Sequence, residues 1–122
     1  MQRFDIDIYQ GATFRLNATW VDPDGDPIDM TGYLARMQIR QTYDANTPLI
    51  SLTESSGIAL GGVDGVVAVE ISAAQTASLP VSRNSGIPPM EQFYYDLEVE
   101  APDGTVTRML FGAARVYREV TR

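Results

Sequence analysis

Four carboxylates, Asp22, Asp24, Asp26 and Asp29, crowd one short segment of the 122-residue chain. They are its densest candidates for chemistry, because a hard cation such as Ca²⁺ is held by several oxygens converging from a tight loop. Their spacing departs from a twelve-residue calcium loop. Glycine falls between the second and third aspartates instead of after the third, Pro23 and Pro27 interrupt the run, and no glutamate stands where the bidentate ligand belongs. A solvated turn is the expectation. Asp96, Glu98 and Glu100 could in principle supply the carboxyl pair of a glycosidase, but they alternate along one extended run and so share one solvated face. Gly61-Gly62-Val63-Asp64-Gly65 has the glycines of a phosphate loop without its lysine and hydroxyl, and it precedes a strand-like run, so a turn is expected there too.

Composition narrows the chemistry further. The chain has neither cysteine nor histidine. That removes thiol nucleophiles, zinc thiolates, the commonest general base and the usual transition-metal ligand. No enzyme activity, catalytic residue, cofactor or metal is therefore expected. Nine basic residues against sixteen acidic give a net charge of −7, the wrong sign for following a phosphate backbone, so nucleic acid is not an expected partner. All nine cations are arginine, the planar side chain favoured in packed ion pairs and at interfaces. Met1 to Gln10 alternates charged and apolar residues, so neither a signal peptide nor a membrane segment is expected, and the chain should be soluble.

The elements that must position these residues are mostly strands. Phe4, Ile6 and Ile8 alternate with polar neighbours, and Phe14, Leu16, Ala18 and Trp20 form one face of a second run whose other face is Thr13, Arg15, Asn17 and Thr19. Trp20 should lie in the core. Asp22 to Pro27 predicts a tight reversal, followed by a short extended piece at Ile28 to Gly32 and a strand with Tyr33, Ala35, Met37 and Ile39 on one face. Leu49 to Thr53, Ile58 to Leu60 and Val66 to Ile71 read as further strands. Ser72 can cap a two-turn helix over Ala73 to Ser78, stopped by Pro80. Val81 to Gln92 reads as a loop and is expected to be the most mobile segment, and Phe93 to Glu100 reads as a strand turning at Pro102-Asp103-Gly104 into Val106 to Phe111. A last strand is expected over Ala113 to Val120.

The size, the strand count and the regular turns predict one domain over 1–122, an all-β antiparallel immunoglobulin-like β-sandwich with one short helical crossover; a small closed barrel is the alternative. Pro23-Asp24-Gly25, Met30 and Ala35-Arg36 recur at a constant offset as Pro102-Asp103-Gly104, Met109 and Ala114-Arg115. Hairpins of one length converging on one turn chemistry account for that echo. The carboxyl-terminal strand gathers arginine on an otherwise acidic chain. Arg108, Arg115, Tyr117, Arg118, Val120 and Arg122 are therefore the candidate interface residues, as a docking edge strand. An ordinary edge strand defended by charge is the competing interpretation.

Gly11-Ala12-Thr13-Phe14, Trp20, Asp24-Gly25-Asp26-Pro27-Ile28-Asp29-Met30-Thr31-Gly32 and Ala35-Arg36-Met37-Gln38-Ile39-Arg40 resemble the start of small β-rich proteins of tailed bacteriophages. Tyr95-Asp96-Leu97-Glu98, Asp103-Gly104-Thr105-Val106, Gly112 and Val120-Thr121-Arg122 are similar to the second half of that family. The resemblance implies an immunoglobulin-like virion module, similar to the amino-terminal domain of upper baseplate proteins that anchors receptor-binding parts. It implies a non-enzymatic structural component of tail, baseplate or fibre attachment site, present in symmetry-related copies and docking on other phage structural proteins. The chain would then be made in the host bacterial cytoplasm and reside in the virion. A capsid decoration protein is the alternative within that class. From outside it comes a carbohydrate-binding module, with Tyr33, Tyr94 and Tyr117 stacking on sugars.

Overall fold

Period-two alternation becomes two packed sheets. The computed structural model describes residues 2–82 and 86–121. In chain order its strands are β1 (Gln2–Arg3), β2 (Ile6–Tyr9), β3 (Phe14–Thr19), β4 (Leu34–Arg40), β5 (Ile50–Thr53), β6 (Ile58–Leu60), β7 (Val66–Ile71), β8 (Met90–Glu100) and β9 (Val106–Tyr117), with the helix α1 (Ala73–Ala77) between β7 and β8. The larger sheet runs β1-β9-β8-β4-β5 with β2 also on β9, and the smaller runs β3-β7-β6.

That order is immunoglobulin-like. Taken in sequence, β3, β7 and β6 occupy the places of strands B, E and D, and β9, β8, β4 and β5 those of G, F, C and C′. The protein is thus a mostly-β two-sheet sandwich with one short helix. The sheets do not close on each other, so the barrel alternative is not adopted. The core lies between them, built from Ile8, Met37, Ile39, Leu52, Val67, Val69, Ile71, Phe93, Leu97 and Val116, with Phe14, Leu16, Ala18 and Trp20 packed half-buried against it. Trp20 is therefore at the margin of the core, not inside it, meeting Tyr33 edge-on at 6.2 Å between ring centroids.

Several boundaries differ from the sequence expectation. The first two strands pair parallel with β9, Ile6 opposite Ala114 and Tyr9 opposite Tyr117, so the sandwich is not wholly antiparallel. Ile28 to Gly32 is not a strand; Pro27 bridges back to Val21, and Ile28 N–H donates to Trp20 C=O. The expected loop up to Gln92 gives way at Met90, where β8 begins opposite Tyr117, and the segment expected to be most mobile includes 83–85, which lie outside the described residues. The two expected last strands are one, because Phe111 to Ala113 stay in register with β8 across Gly112. It ends at Tyr117, short of the expected Val120.

Local chemistry fixes the joints. Ser72 caps α1 as expected, and Gln75 completes a reciprocal box, each side chain bonding the other's backbone N–H. Gly61 to Gly65 is the expected turn, a short 3₁₀ segment ending at Gly65 with φ 68°, where a Cβ would lie 2.6 Å from the Trp20 carbonyl oxygen. The aspartate-rich reversal is held by its own backbone. Asp22 Oδ1 accepts the N–H groups of Asp24 and Asp26, each at 2.9 Å, and Asp29 Oδ1 accepts both the N–H and the hydroxyl of Thr31.

Candidate functional site

Outward positions of the larger sheet form a broad face on which aromatic and charged side chains are interleaved. On β8 the period of two turns Tyr94, Asp96, Glu98 and Glu100 outward and buries Phe93, Tyr95, Leu97 and Val99. β4 contributes Arg36, Gln38 and Arg40 by the same rule. β9 obeys it only with a correction. A bulge places Leu97 opposite Leu110 but Glu98 opposite Arg108, leaving Met109 as the extra residue. The inserted residue reverses the phase, so Arg108 faces outward before it, and Phe111, Ala113, Arg115 and Tyr117 face outward after it.

Ion pairs cross this face in rows. Arg36 donates from Nε to Glu98 Oε1 at 2.7 Å and from Nη1 to Glu100 Oε1 at 3.2 Å, and these two hydrogen bonds raise its pKa above the ordinary arginine value. Arg108 Nε stands 3.4 Å from Asp96 Oδ2, and Arg115 Nε donates to Asp7 Oδ1 at 2.9 Å. Arg40 is pinned by the Ala45 carbonyl at 2.6 Å and Gln38 Oε1 at 2.8 Å. Asp96, Glu98 and Glu100 are thus held by arginines instead of standing in open solvent as expected. Burial raises the pKa of Asp96, opposed by Arg108, reinforced by Glu98 and opposed again by Arg40 and Arg36. Among the described residues no second carboxyl faces Asp96 across a cleft as an acid–base pair requires, since Glu98 lies beside it on the same strand and is bound to Arg36.

Between the rows, Tyr43 meets Tyr94 edge-on at 5.1 Å, and the two rings with Phe111 wall a concavity of about 290 Å³ whose polar lining is Gln38, Arg40, Asp96 and Arg108. A neighbouring hollow of about 480 Å³ shares Tyr43, Tyr94 and Phe111 and reaches Arg3 and Ala113. Its floor is Gly112, where a Cβ would come within 2.7 Å of both Phe4 O and Asp5 Oδ1. The closeness has a structural cause. Between β1 and β2 the parallel ladder to β9 is interrupted, and the Asp5 carboxylate takes over by accepting Ala113 N–H at 3.0 Å. The buried Tyr95 hydroxyl donates to Phe4 C=O in the same gap.

The proposed interface residues divide. Arg108, Arg115 and Tyr117 share the outward face, with Tyr117 stacked on Tyr9 at 5.3 Å. Arg118 turns away and donates to the Val81 carbonyl at 3.2 Å, Val120 is exposed beyond the strand, and Arg122 lies outside the described residues. The docking-edge interpretation is corrected, because β9 is an interior strand whose backbone is paired with β8 on one side and with β1 and β2 on the other. Its arginines are partnered, so they form no free basic strip. All three tyrosines suggested for sugar stacking pack on other rings, Tyr117 on Tyr9, Tyr33 on Trp20 and Tyr94 on Tyr43. Sequence reasoning missed Tyr43, Phe111 and Arg40. The alternation through β4 carried a signal for Arg40, whereas Phe111 was hidden by the bulge and Tyr43 by its loop.

Among the described residues, no three acidic side chains converge as metal ligands, and no helix is long and apolar enough to cross a membrane. No protein-family model and no curated protein matches the chain. Among solved structures it is similar to murine CRIg at 9% identity and a TM-score of 0.41, over 94% of this chain and 92% of that one. A likeness at that level carries no part of the functional argument.

Proposed function

We propose that the protein is a non-enzymatic assembly module that docks on other proteins through the outward face of its larger sheet. The observation that carries this is the Tyr43–Tyr94–Phe111 cluster set among arginine–carboxylate pairs. Aromatic residues and arginine are what interface centres enrich, and charges already paired within one partner cost less to bring against another than unpaired ones would. In the finer form of the proposal the module is a structural component of a tailed-phage virion, an adaptor of tail, baseplate or fibre attachment site, made in the host cytoplasm and partnered by other virion proteins. What supports that form is the sequence resemblance along most of the chain.

The test is mass spectrometry and cross-linking of particles purified from cells that express the gene. The chain should be present in a ring-like stoichiometry, with cross-links from the Tyr94 face to a neighbouring protein; a capsomer-scaled copy number would indicate capsid decoration instead. Particles that lack the chain would remove the virion assignment. A Tyr94→Ala, Phe111→Ala double variant that is folded yet incorporated normally would remove the face.

A further inference from the structure

In the immunoglobulin-like order a first strand lies beside B and covers its edge. Here the amino-terminal strands are given to β9, and among the described residues nothing pairs with the outer side of β3. Trp20 N–H donates to Gly65 C=O, and Ala18, Leu16 and Phe14 continue that phase along β7. Antiparallel pairs alternate in direction, so Arg15, Asn17 and Thr19 turn their N–H and C=O groups away from β7. The open edge has no proline and no bulge to blunt it. Its inward stripe, Phe14, Leu16, Ala18 and Trp20, stays half-exposed because no further strand closes the sandwich there.

We infer that this edge pairs with the same edge of a second copy, β3 against β3 across a two-fold axis, making one continuous six-stranded sheet from two three-stranded ones. The strand is self-complementary. Only registers that keep apolar residues opposite apolar ones are allowed, and the two that overlap most of the strand are centred on its middle residues, Leu16 and Asn17. Centred on Leu16, Phe14 faces Ala18 of the second copy, large against small, and Arg15 faces Asn17. Centred on Asn17, Leu16 faces Ala18, Phe14 faces Trp20 and Arg15 faces Thr19. Neither register sets like charges opposite each other, and Arg15 is already held by Glu70 at 2.9 Å on its own sheet. The pairing spans about 20 Å of strand. That is a small interface, so the dimer forms with a dissociation constant of about 10 μM to 1 mM and is populated where copies are concentrated. It involves no residue of the Tyr94 face, so either proposal can fail without the other.

Sedimentation equilibrium on the full chain from about 10 μM to 1 mM, with residue-resolved amide exchange over the same range, tests it. The expected result is a monomer–dimer equilibrium in which the amides of Arg15, Asn17 and Thr19 slow with concentration while those of Leu16 and Ala18 do not change. Asn17→Pro removes an outward N–H and leaves the β7 ladder intact, so it should raise the dissociation constant about tenfold or more. A chain that stays monomeric to 1 mM overturns the inference, including one whose β3 takes up a strand from a different protein. So does a dimer in which those three amides are unaffected, or a folded Asn17→Pro variant that dimerises as tightly. Should that variant not fold, amide exchange in the unsubstituted chain decides.

Discussion

Apart from Tyr95 with its phenol, Thr76 is the one residue with a polar side chain among the buried ones described, and replacing it with valine tests how the two sheets are tied together. Its hydroxyl accepts Gly11 N–H at 3.0 Å and lies 2.9 Å from Ala12 C=O and 3.1 Å from Ala73 C=O as acceptors. Gly11 and Ala12 belong to the crossing that carries the chain from β2 in the larger sheet to β3 in the smaller. Gln10 adds a bond to Leu79 C=O at 2.7 Å beside it. Thr76→Val keeps the shape and removes the hydroxyl, leaving Gly11 N–H and Ala12 C=O without that partner. An unsatisfied donor costs about 1–3 kcal/mol, and because water reaches part of this surface crossing, about 1.5 kcal/mol is expected. Unfolding entropy of about 2.1 cal/mol/K per residue over 122 residues makes each kcal/mol worth about 4 °C, so the melting temperature should fall by about 6 °C. Thermal denaturation combined with exchange at the Gly11 amide is the assay. Thr76→Ser keeps the hydroxyl, so Gly11 should remain protected there and lose protection in Thr76→Val. A valine variant as stable as the parent, or one with Gly11 still protected, would refute the pin.

Other expectations follow from the gap in the parallel ladder. Gly112→Ala drives a methyl group to 2.7 Å from Phe4 O and Asp5 Oδ1, so it should destabilise by about 1–3 kcal/mol in chemical denaturation. A neutral effect would mean that the gap is loose. The bond from Ala113 N–H, which outweighs desolvation, lowers the pKa of Asp5 below its ordinary 3.8. Its contribution is therefore full above 3.8 and lost as pH falls through the lower folded value, and Asp5→Asn should flatten that part of the acid limb. Burial, with help from the Asp5 charge, pushes Tyr95 up to about 12. Its contribution is full below its ordinary value of 10 and lost as pH rises toward 12, so Tyr95→Phe should lose less stability over that alkaline range, and parallel curves would count against it. Glu98→Gln should weaken the hold on Arg36 by no more than about 1 kcal/mol, since the pair is partly exposed, as a urea titration would read.

Local patterns decided much of this protein. Alternation alone placed Ile6, Ile8, Ala35, Met37 and Ile39 inward, because a strand facing one core must bury every second residue. Ser72 and Pro80 bounded the helix, and Asp22 to Pro27 made the reversal, since capping and turn chemistry act over a few residues. Partnership across long separations was decided only by the tertiary structure. Nothing local assigns residues 6–9 to a parallel ladder with 114–117, and that choice turned the expected docking edge into an interior strand and left β3 open. The phase of β9 was settled in the same way. One extra residue at Met109, opposite the Leu97–Glu98 step, sends Leu110 inward and Phe111 out to the aromatic face, and a bulge is defined by its partner strand, which a single strand's sequence does not contain.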